Sequence, residues 1–388
     1  MLHETKTRSS IEKVILAGIL TAGQDPALFE EDLQEMALLC STAGARIAKT
    51  VIQKRPAPDA TTFIGQGKLR EISDAMRELG CSTLIIDAEL SPGQVRNIEK
   101  IINGKVIDRS QLILDIFATH ARTNEARIQV ELAQLRTLYP RLTHAWTHFS
   151  QQVGGIGTRG PGEKQLEVDR RLIQKKVSDL KARLDKIEKS RQTQRKSRGE
   201  TFKAALVGYT NVGKSSLLNA LSGSKVLVEN KLFATLDTAT RRTFIPGVGT
   251  VVISDTVGFL RKLPHHLVAS FRSTLEVVHT AELLLVVMDA SSLWTKAQLE
   301  TVSQVLIELD AQDVPRLLIF NKSDLLTDPF MRKQLELAYP GSIFVCAFKA
   351  DDIARLKERI ADLVRDRQRE KSIAEIIKRK TNDAAQTY

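Results

Sequence analysis

The chain has 388 residues, of which 42% are hydrophobic and 27% charged, and its formal net charge is +11 at pH 7. This length accommodates two or three domains, and the composition is that of a globular protein rather than a fibrous or disordered one. The excess of lysine and arginine favours a polyanionic partner, because contacts from these side chains to phosphates dominate nucleic-acid affinity.

The sequence shows no targeting pattern and no zinc-binding pattern. Residues 1–6 lack the apolar core of a signal peptide, and the longest apolar run, Leu283–Met288, is too short to cross a bilayer. The three cysteines, Cys40, Cys81 and Cys346, lack the spacing of a zinc site or a disulfide framework. We therefore expect a cytoplasmic protein without a membrane span, and we expect it to be a monomer.

Residues 1–120 alternate short apolar segments with amphipathic ones. In chain order the segments are Lys13–Leu20, Phe29–Cys40, Arg46–Gln53, Lys68–Leu79, Thr83–Asp87, Pro92–Ile102 and Lys105–Ile107. This alternation predicts an N-terminal α/β domain with a parallel sheet covered on both faces. The loop Phe63–Lys68 would suit an anion site at a helix N-terminus, but a turn followed by a helix is the favoured interpretation.

Residues 121–199 show a helical pattern in two places. Apolar residues recur in alternating steps of four and three, first at Ile128, Leu132, Leu135 and Tyr139, and then at Ile173, Val177, Leu180, Leu184 and Ile187. This predicts two helices side by side in an antiparallel, coiled-coil-like hairpin. The glycine-rich segment 154–165 between them contains Arg159 and predicts a mobile basic loop at the tip. Residues 155–160 also match a dinucleotide fingerprint, but no strand precedes them.

The second predicted helix carries an excess of positive charge. Against Asp179, Asp185 and Glu188 stand the basic residues Arg170, Arg171, Lys175, Lys176, Lys181, Arg183, Lys186, Lys189, Arg191, Arg195, Lys196 and Arg198. A charged helix face is often merely solvated, but an excess of one sign beside a basic loop favours contact with the phosphates of RNA. The polar stretch 189–200 predicts a linker into the next domain.

The most specific motif begins at residue 208. The apolar run Phe202–Val207 is followed by Gly208, Tyr209, Thr210, Asn211, Val212, Gly213, Lys214 and Ser215. A strand, a loop with this glycine spacing and a helix form a phosphate-binding loop, whose backbone amides surround the phosphates of a nucleotide. In such a loop Lys214 reaches the terminal phosphates and the Ser215 hydroxyl ligates Mg²⁺.

Two switch motifs follow in the expected order. The first is a Thr-rich segment that suits a switch whose hydroxyl ligates Mg²⁺ only when the γ-phosphate is present. It begins with Phe233, Ala234, Thr235, Leu236 and Asp237. The second comes after the strand Gly249–Ser254 and consists of Asp255, Thr256, Val257 and Gly258. There the aspartate holds Mg²⁺ through water and the Gly258 amide faces the γ-phosphate.

A base-recognition motif completes the set. After the buried-strand pattern Pro315–Phe320 come Asn321, Lys322, Ser323 and Asp324. The Asp324 carboxylate accepts hydrogen bonds from the ring N–H and amino group of guanine, which adenine does not offer, so the motif specifies GTP over ATP. The four motifs together predict a P-loop GTPase domain with a doubly wound sheet over residues 200–366.

The last expected guanine contact departs from the common pattern. After the strand Ser342–Val345, where many GTPases have Ser-Ala-Lys, this chain has Cys346, Ala347 and Phe348. The Ala347 amide can still contact the guanine oxygen. Beyond a closing helix, residues 367–388 are polar and predict a loosely held tail.

Residue 259 bears on how GTP is cleaved. Phe259 stands where many GTPases have the glutamine that orients the attacking water, and an apolar ring cannot do so. We expect slow intrinsic hydrolysis, assisted by a docking partner or by a monovalent cation. Asn211 stands where several cation-activated GTPases, which the loop resembles, hold K⁺ beside the phosphates. An equally open alternative is that Asn211 only stabilises the loop turn.

Several motifs resemble those of the HflX family of translational GTPases. They are Gly154–Glu163 with Gln165–Glu167, Leu90–Gln94, Val106–Arg109, Ile113–Phe117 and Phe233–Asp237. The resemblance implies a GTPase that binds the 50S ribosomal subunit and the 70S ribosome and splits stalled ribosomes into subunits, its N-terminal region and glycine-rich loop entering the functional centre of the subunit. It also implies that Ser215 and Thr235 ligate Mg²⁺. With these partners, we expect the basic hairpin to contact ribosomal RNA. Lys164 departs from the threonine that the family usually has, and Cys346 and Phe348 alter the last guanine contact.

Two other functions compete with this one. A GTP-dependent RNA-remodelling or RNA-modification factor should carry its own catalytic set, and the sequence shows none outside the GTPase motifs. A regulatory GTPase with protein effectors would not need the basic hairpin.

Overall fold

The computed structural model describes residues 11–145, 161–196, 201–224, 232–233, 235–264, 267 and 272–385. The chain divides into two compact units: Met1–Ser190 with Lys262–Phe271 form the first, and Arg191–Arg261 with Arg272–Tyr388 form the second. The first unit contains both the α/β domain predicted at 1–120 and most of the hairpin segment predicted at 121–199. The exact domain boundaries stay predictions.

The first unit contains a four-stranded sheet whose strands all run parallel. The strands are β1 (Glu12–Thr21), β2 (Ala45–Arg55), β3 (Thr83–Ile86) and β4 (Lys105–Asp108), in the spatial order β2-β1-β3-β4. The helices of this part are α1 (Pro26–Thr42), α2 (Gln66–Leu79), α3 (Pro92–Ile102) and α4 (Arg109–His120). The predicted parallel α/β architecture is confirmed.

Local sequence signals set the starts of these helices. Ser91 and Gln94 form a reciprocal capping box at the start of α3. Asp108 ends β4 and also caps α4, because its carboxylate accepts a hydrogen bond of 2.8 Å from the Gln111 amide. Helix α4 was not among the predicted elements. Its buried residues lie around most of its circumference, so the amphipathic period that marks a surface helix is weak.

Helices α5 (Asn124–Ala145) and α6 (Pro161–Lys196) form the predicted pair. Ile128 and Leu132 of α5 share one buried cluster with Leu180 of α6. The same cluster packs against the partly buried side chains of Leu135, Val177, Leu184 and Ile187. The Gln174 side chain also donates a hydrogen bond of 3.1 Å to the Tyr139 hydroxyl. The side-by-side packing inferred from the spacing of apolar residues is therefore confirmed.

Both predicted boundaries of the second helix are wrong. The loop predicted to extend to residue 165 ends earlier, because α6 begins at Pro161. Proline suits the first helical position, where a backbone N–H would have no partner within the helix. The linker predicted from Lys189 starts later, because α6 runs to Lys196 without a glycine or proline to stop it. Residues 154–160 and 197–200 lie outside the described residues.

The second unit contains a six-stranded sheet. Its strands are β5 (Lys203–Gly208), β6 (Ala239–Ile245), β7 (Gly249–Asp255), β8 (Leu283–Asp289), β9 (Arg316–Asn321) and β10 (Ile343–Phe344), in the spatial order β10-β9-β8-β5-β7-β6. All neighbouring pairs are parallel except β6 and β7, which form an antiparallel edge. The order of the strands reverses around β5, as expected for a doubly wound sheet, and ligands of such sheets bind at this point.

The helices of the second unit are α7 (Lys214–Ser222), α8 (Arg272–His279), α9 (Thr295–Glu308), α10 (Pro329–Ala338) and α11 (Ala350–Ala385). The backbone of the predicted tail is helical as far as Ala385, because α11 continues to that residue. That the tail is loosely held stays a prediction. No glycine or proline interrupts this stretch, and ion pairs one turn apart support it, such as Arg367 with Glu370 at 2.8 Å.

None of the helices in the described ranges combines the length and the apolar character that a membrane span requires. The cytoplasmic location and the monomeric state stay predictions.

Candidate nucleotide-binding site

The predicted phosphate-binding loop connects β5 to α7, and the neighbouring strands fix its path. Gly208 has φ +151°, and a Cβ atom there would lie 2.1 Å from the carbonyl oxygen of Val287. Gly213 has φ +91°, and its Cβ atom would lie 2.3 Å from the side-chain nitrogen of Asn321. Both positions therefore require glycine for conformation and for space. The glycine spacing in the sequence has a direct physical cause.

The loop borders a cavity of about 490 Å³ in the second unit. Fifteen of the predicted nucleotide-binding residues line it: Thr210, Asn211, Gly213, Lys214, Ser215, Phe233, Thr235, Thr256, Gly258, Asn321, Lys322, Asp324, Cys346, Ala347 and Phe348. All four predicted motifs and the last guanine loop thus meet at one cavity. The volume is in the range of small-ligand sites.

Some predicted residues do not line the cavity. They are Gly208, Tyr209, Val212, Leu236, Asp237, Asp255, Val257 and Ser323. Several of them have apolar side chains buried in the unit, including Val212, Leu236 and Val257. Ala234 lies outside the described residues. Ser216 and Leu325 also line the cavity, and the sequence analysis missed them. Each of the two directly follows a predicted contact residue in the chain, and this adjacency is the sequence feature that could have indicated that they line the cavity.

Lys214 lies where the phosphates are expected. Its side chain is buried, and its ammonium donates hydrogen bonds to the carbonyl oxygens of Gly208 at 3.2 Å and Tyr209 at 2.7 Å. Burial lowers the pKa of this ammonium from 10.5 to about 8, and the negative charge of Asp255 opposes that shift. A phosphate would supply the charge that this buried cation lacks.

Three oxygen-bearing side chains meet beside the loop and provide a candidate Mg²⁺ site. The Ser215 hydroxyl lies 2.8 Å from the Thr235 hydroxyl and donates to the Asp255 carboxylate at 2.5 Å. The second carboxylate oxygen of Asp255 is buried and has no hydrogen-bond partner among the described residues. Burial raises the pKa of Asp255, and the positive charge of Lys214 opposes that shift. These hard oxygen donors suit Mg²⁺.

The base-recognition motif is held at the other end of the cavity. Asn321 is buried, and its side chain donates to the Val212 carbonyl at 2.8 Å and accepts from the Ala347 amide at 3.2 Å. Lys322 forms an ion pair of 2.7 Å with Asp289. These contacts leave the exposed Asp324 side chain lining the cavity, where a guanine would present its N–H groups.

The residue after Gly258 faces away from the cavity. Phe259 is almost fully buried, and its backbone forms a bridge with the phosphate-binding loop. The Phe259 amide donates to Gly208 at 3.0 Å, and its carbonyl accepts from the Thr210 amide at 2.8 Å. Its ring does not line the cavity, which agrees with the expectation that this position does not orient water.

Asn211 has φ +60°, in the left-handed region. Asparagine tolerates this region better than most residues, so the turn-stabilising interpretation has a physical basis. A K⁺ contact at the same residue stays a proposal.

Family models match most of the chain. Residues 30–118 match the GTP-binding GTPase N-terminal model, residues 120–198 the GTP-binding GTPase Middle Region, and residues 203–322 the 50S ribosome-binding GTPase model. Against solved structures, the chain is similar in fold to SsGBP in complex with GDP, at 24% identity and a TM-score of 0.50. That match covers 91% of this chain and 98% of the other.

Sequence relatives are considerably closer. The GTPase HflX of Flavobacterium psychrophilum is 48% identical over 319 residues, which covers 82% of this chain and 77% of the relative. The GTPase HflX of Escherichia coli is 48% identical over 300 residues, covering 77% and 70%. That of Alkalihalophilus pseudofirmus is 42% identical over 361 residues, covering 92% and 84%. Identity at this level extends over both units, and the chain therefore belongs to the HflX family of GTPases.

Proposed function

We propose that the chain hydrolyses GTP to GDP and phosphate, associates with the 50S subunit and the 70S ribosome, and splits stalled ribosomes into subunits. One observation carries the nucleotide part: the phosphate-binding loop and Asp324 line the same cavity. Two observations support the ribosomal part. Residues 203–322 match a family described as 50S ribosome-binding GTPases, and α6 has a strongly basic sequence.

Different side chains of the cavity would bind different parts of the nucleotide. Lys214 neutralises the terminal phosphates, and Asp324 selects guanine. Ser215 and Thr235 would hold Mg²⁺ directly, and Asp255 would hold it through water. When bound, Mg²⁺ neutralises the charge that develops on the phosphates during cleavage. The Thr235 segment and Gly258 would respond to the presence of the γ-phosphate, because both approach it only in the GTP state.

The proposed RNA contact involves exposed cations of α6. Arg170, Arg171 and Lys175 are exposed on the helix. Lys176 belongs to the predicted basic set but forms an ion pair of 2.5 Å with Glu131 of α5, so part of its charge serves the hairpin itself. Neutralising the first three should weaken 50S binding and flatten its salt dependence, because fewer counterions are released.

A matched control for this charge change lies in the second unit. Lys296, Lys333 and Arg359 are exposed, so changing these three to glutamine removes the same charge elsewhere. We expect the α6 variant alone to lose 50S binding, with GTP affinity intact in both. Equal losses in the two variants would show that only net charge matters. Unchanged binding in the α6 variant would show that this face is merely solvated.

Sedimentation of ribosomes through sucrose gradients tests the splitting itself. With GTP or a non-hydrolysable analogue, we expect 70S ribosomes to convert into subunits, and with GDP we expect them to stay intact. Failure to bind 50S or 70S particles in any nucleotide state would overturn the ribosomal proposal. Binding to isolated RNA without any effect on ribosomes would support the RNA-remodelling alternative.

We propose further that hydrolysis needs assistance, because Phe259 does not orient water. Turnover of GTP alone should be low and should rise about tenfold or more with 50S subunits. K⁺ should activate more than Na⁺ if Asn211 holds a cation beside the phosphates, since such a charge stabilises the transition state. Rates for wild type and Asn211→Ala in each salt separate the possibilities. An unchanged K⁺ response in the variant would eliminate the cation site alone.

A further inference from the structure

Thr210 in the phosphate-binding loop has a hydroxyl that the contacts described so far do not use. The residue is 6% exposed and lines the cavity, and its hydroxyl oxygen is buried without a hydrogen-bond partner among the described residues. A buried hydroxyl that lacks a partner destabilises the folded protein, because it has lost its hydrogen bonds to water without replacement. A protein tolerates such a cost most readily at a site where a ligand supplies the missing partner.

Three other hydroxyls that line the cavity are already engaged, those of Ser215, Thr235 and Thr256. Ser215 and Thr235 lie 2.8 Å apart at the candidate Mg²⁺ site. The Thr256 hydroxyl donates to the carbonyl oxygen of Leu206 at 2.7 Å, which ties it to β5. Thr210 differs from these three because its hydroxyl retains both its donor and its acceptor capacity.

The position of Thr210 is fixed at the end of the site where the γ-phosphate is expected. Its amide donates to the Phe259 carbonyl at 2.8 Å. A Cβ atom on Gly258 would lie 2.7 Å from the Thr210 Cα atom, 2.8 Å from its methyl group and 2.9 Å from the Lys214 ammonium. Thr210 therefore adjoins both the cation that reaches the terminal phosphates and the glycine whose amide faces the γ-phosphate.

We propose that Thr210 is a further catalytic residue, whose hydroxyl orients the water that attacks the γ-phosphorus. A change of the Thr210 side-chain rotamer turns the hydroxyl toward bound GTP. It then accepts a hydrogen bond from the water and donates one to a γ-phosphate oxygen. The inference rests on GTP hydrolysis in this cavity and does not depend on the ribosomal partner.

The reaction balances without any further reactant. The water oxygen forms a bond to the γ-phosphorus, and the bond from that phosphorus to the bridging oxygen breaks. The electron pair of the broken bond leaves with GDP, and the proton of the water passes to a phosphate oxygen. Thr210 keeps its own proton throughout, so its contribution is the orientation of water that Phe259 does not supply.

Two substitutions at this position separate the hydroxyl from the shape of the side chain. Thr210→Val keeps the shape and removes the hydroxyl, whereas Thr210→Ser keeps the hydroxyl. We expect Thr210→Val to lower kcat about tenfold or more, with GDP affinity unchanged, and Thr210→Ser to retain most of the activity. Steady-state hydrolysis of radiolabelled GTP without ribosomes, with Mg²⁺ present, measures kcat and KM. GDP titration measures affinity.

Thr243→Val is the matched control. Thr243 lies on β6, is 1% exposed and also has a hydroxyl without a partner among the described residues, but it does not line the cavity. Both valine variants should unfold at the same temperature as wild type or higher, because each removes an unpaired buried hydroxyl. Of the two valine variants, only Thr210→Val should have a lower kcat for GTP hydrolysis than wild type. The proposal is overturned if Thr210→Val keeps the wild-type kcat, or if Thr210→Ser lowers kcat as much as Thr210→Val does. It is also overturned if the GDP affinity of Thr210→Val falls together with its kcat.

Discussion

The side-chain amide of Asn321 donates a hydrogen bond of 2.8 Å to the main-chain carbonyl of Val212, and this bond ties the base-recognition motif to the phosphate-binding loop. The other end of the same side chain accepts from the Ala347 amide at 3.2 Å. One buried amide thus fixes three loops around the cavity. The two motifs are 109 residues apart in sequence, yet the distance between the phosphate and guanine subsites depends on this contact.

Asn321→Ala should therefore weaken nucleotide binding by releasing the loops that this side chain connects. The substitution leaves the Val212 carbonyl without this partner, at a cost of about 1–3 kcal/mol, and frees the loop of Ala347. We expect lower affinity for both GTP and GDP and a lower melting temperature. The control is Asn97→Ala in the first unit, which removes an exposed hydrogen bond of 3.0 Å to the Thr61 carbonyl. Titration of the Asn97→Ala variant with GTP and GDP should show wild-type affinity for both nucleotides.

Gly213→Ala should abolish nucleotide binding, because a Cβ atom there collides with Asn321 and the backbone has φ +91°. Gly223 offers a comparison at the other end of α7. It has φ +68°, but a Cβ atom there has no neighbour within 4 Å. Gly223→Ala should cost about 1 kcal/mol of stability through backbone strain alone and keep its GTP affinity. Equal losses of GTP affinity in the two variants would show that backbone strain at the glycine, rather than the collision with Asn321, weakens nucleotide binding.

Asp324→Asn should convert the preference from guanine to xanthine. An amide cannot accept both guanine donors, and xanthine carries an oxygen in place of the amino group. We expect the affinity for GTP to fall by about 1.5–3 kcal/mol and that for xanthosine triphosphate to rise. Competition between the two nucleotides measures the change. An undiminished preference for GTP would contradict the role of Asp324.

Lys214→Met should change how the stability of the nucleotide-free protein depends on pH. Because burial lowers the pKa of Lys214 from 10.5 to about 8, the native state binds fewer protons than the unfolded chain between these values. Wild-type stability should therefore rise relative to the variant as the pH increases from about 8 to 10.5. Urea denaturation across this range provides the measurement. Lys296→Met, at an exposed site, should show no such difference from wild type.

Arg109→Met should strongly destabilise the first unit. Arg109 is 2% exposed, forms an ion pair of 2.7 Å with Asp87 and also pairs with Glu35. Its removal takes this buried cation away from both carboxylates and leaves Asp87 with the more distant Lys262 ammonium at 3.4 Å. Breaking a buried ion pair in this way typically costs about 3–5 kcal/mol. Arg77→Met is the control, because Arg77 forms an exposed ion pair of 2.5 Å with Asp74 that should contribute less than about 1 kcal/mol. Thermal unfolding of the two variants compares them.

Much of the candidate site could be predicted because each motif is local. The spacing of Gly208, Gly213 and Lys214 reflects backbone constraints within one loop, and the apolar steps along α5 and α6 reflect the period of a helix. Helix ends were harder to predict. The polar sequence after Lys189 resembles a linker and that after Arg367 resembles a tail, but no glycine or proline interrupts the first before Lys196 or the second before Ala385.

The sequence by itself determined the order of the motifs and the parallel α/β architecture, and it predicted the choice of guanine through Asp324, because these follow from short patterns. Only the tertiary structure decided that the hydroxyls of Ser215, Thr235 and Thr256 are already engaged and that the Thr210 hydroxyl lacks a partner among the described residues. It also decided that Asn321 connects three loops and that β6 runs antiparallel. These features depend on contacts between residues far apart in the chain, and the spacing of residues along a sequence carries no direct record of them.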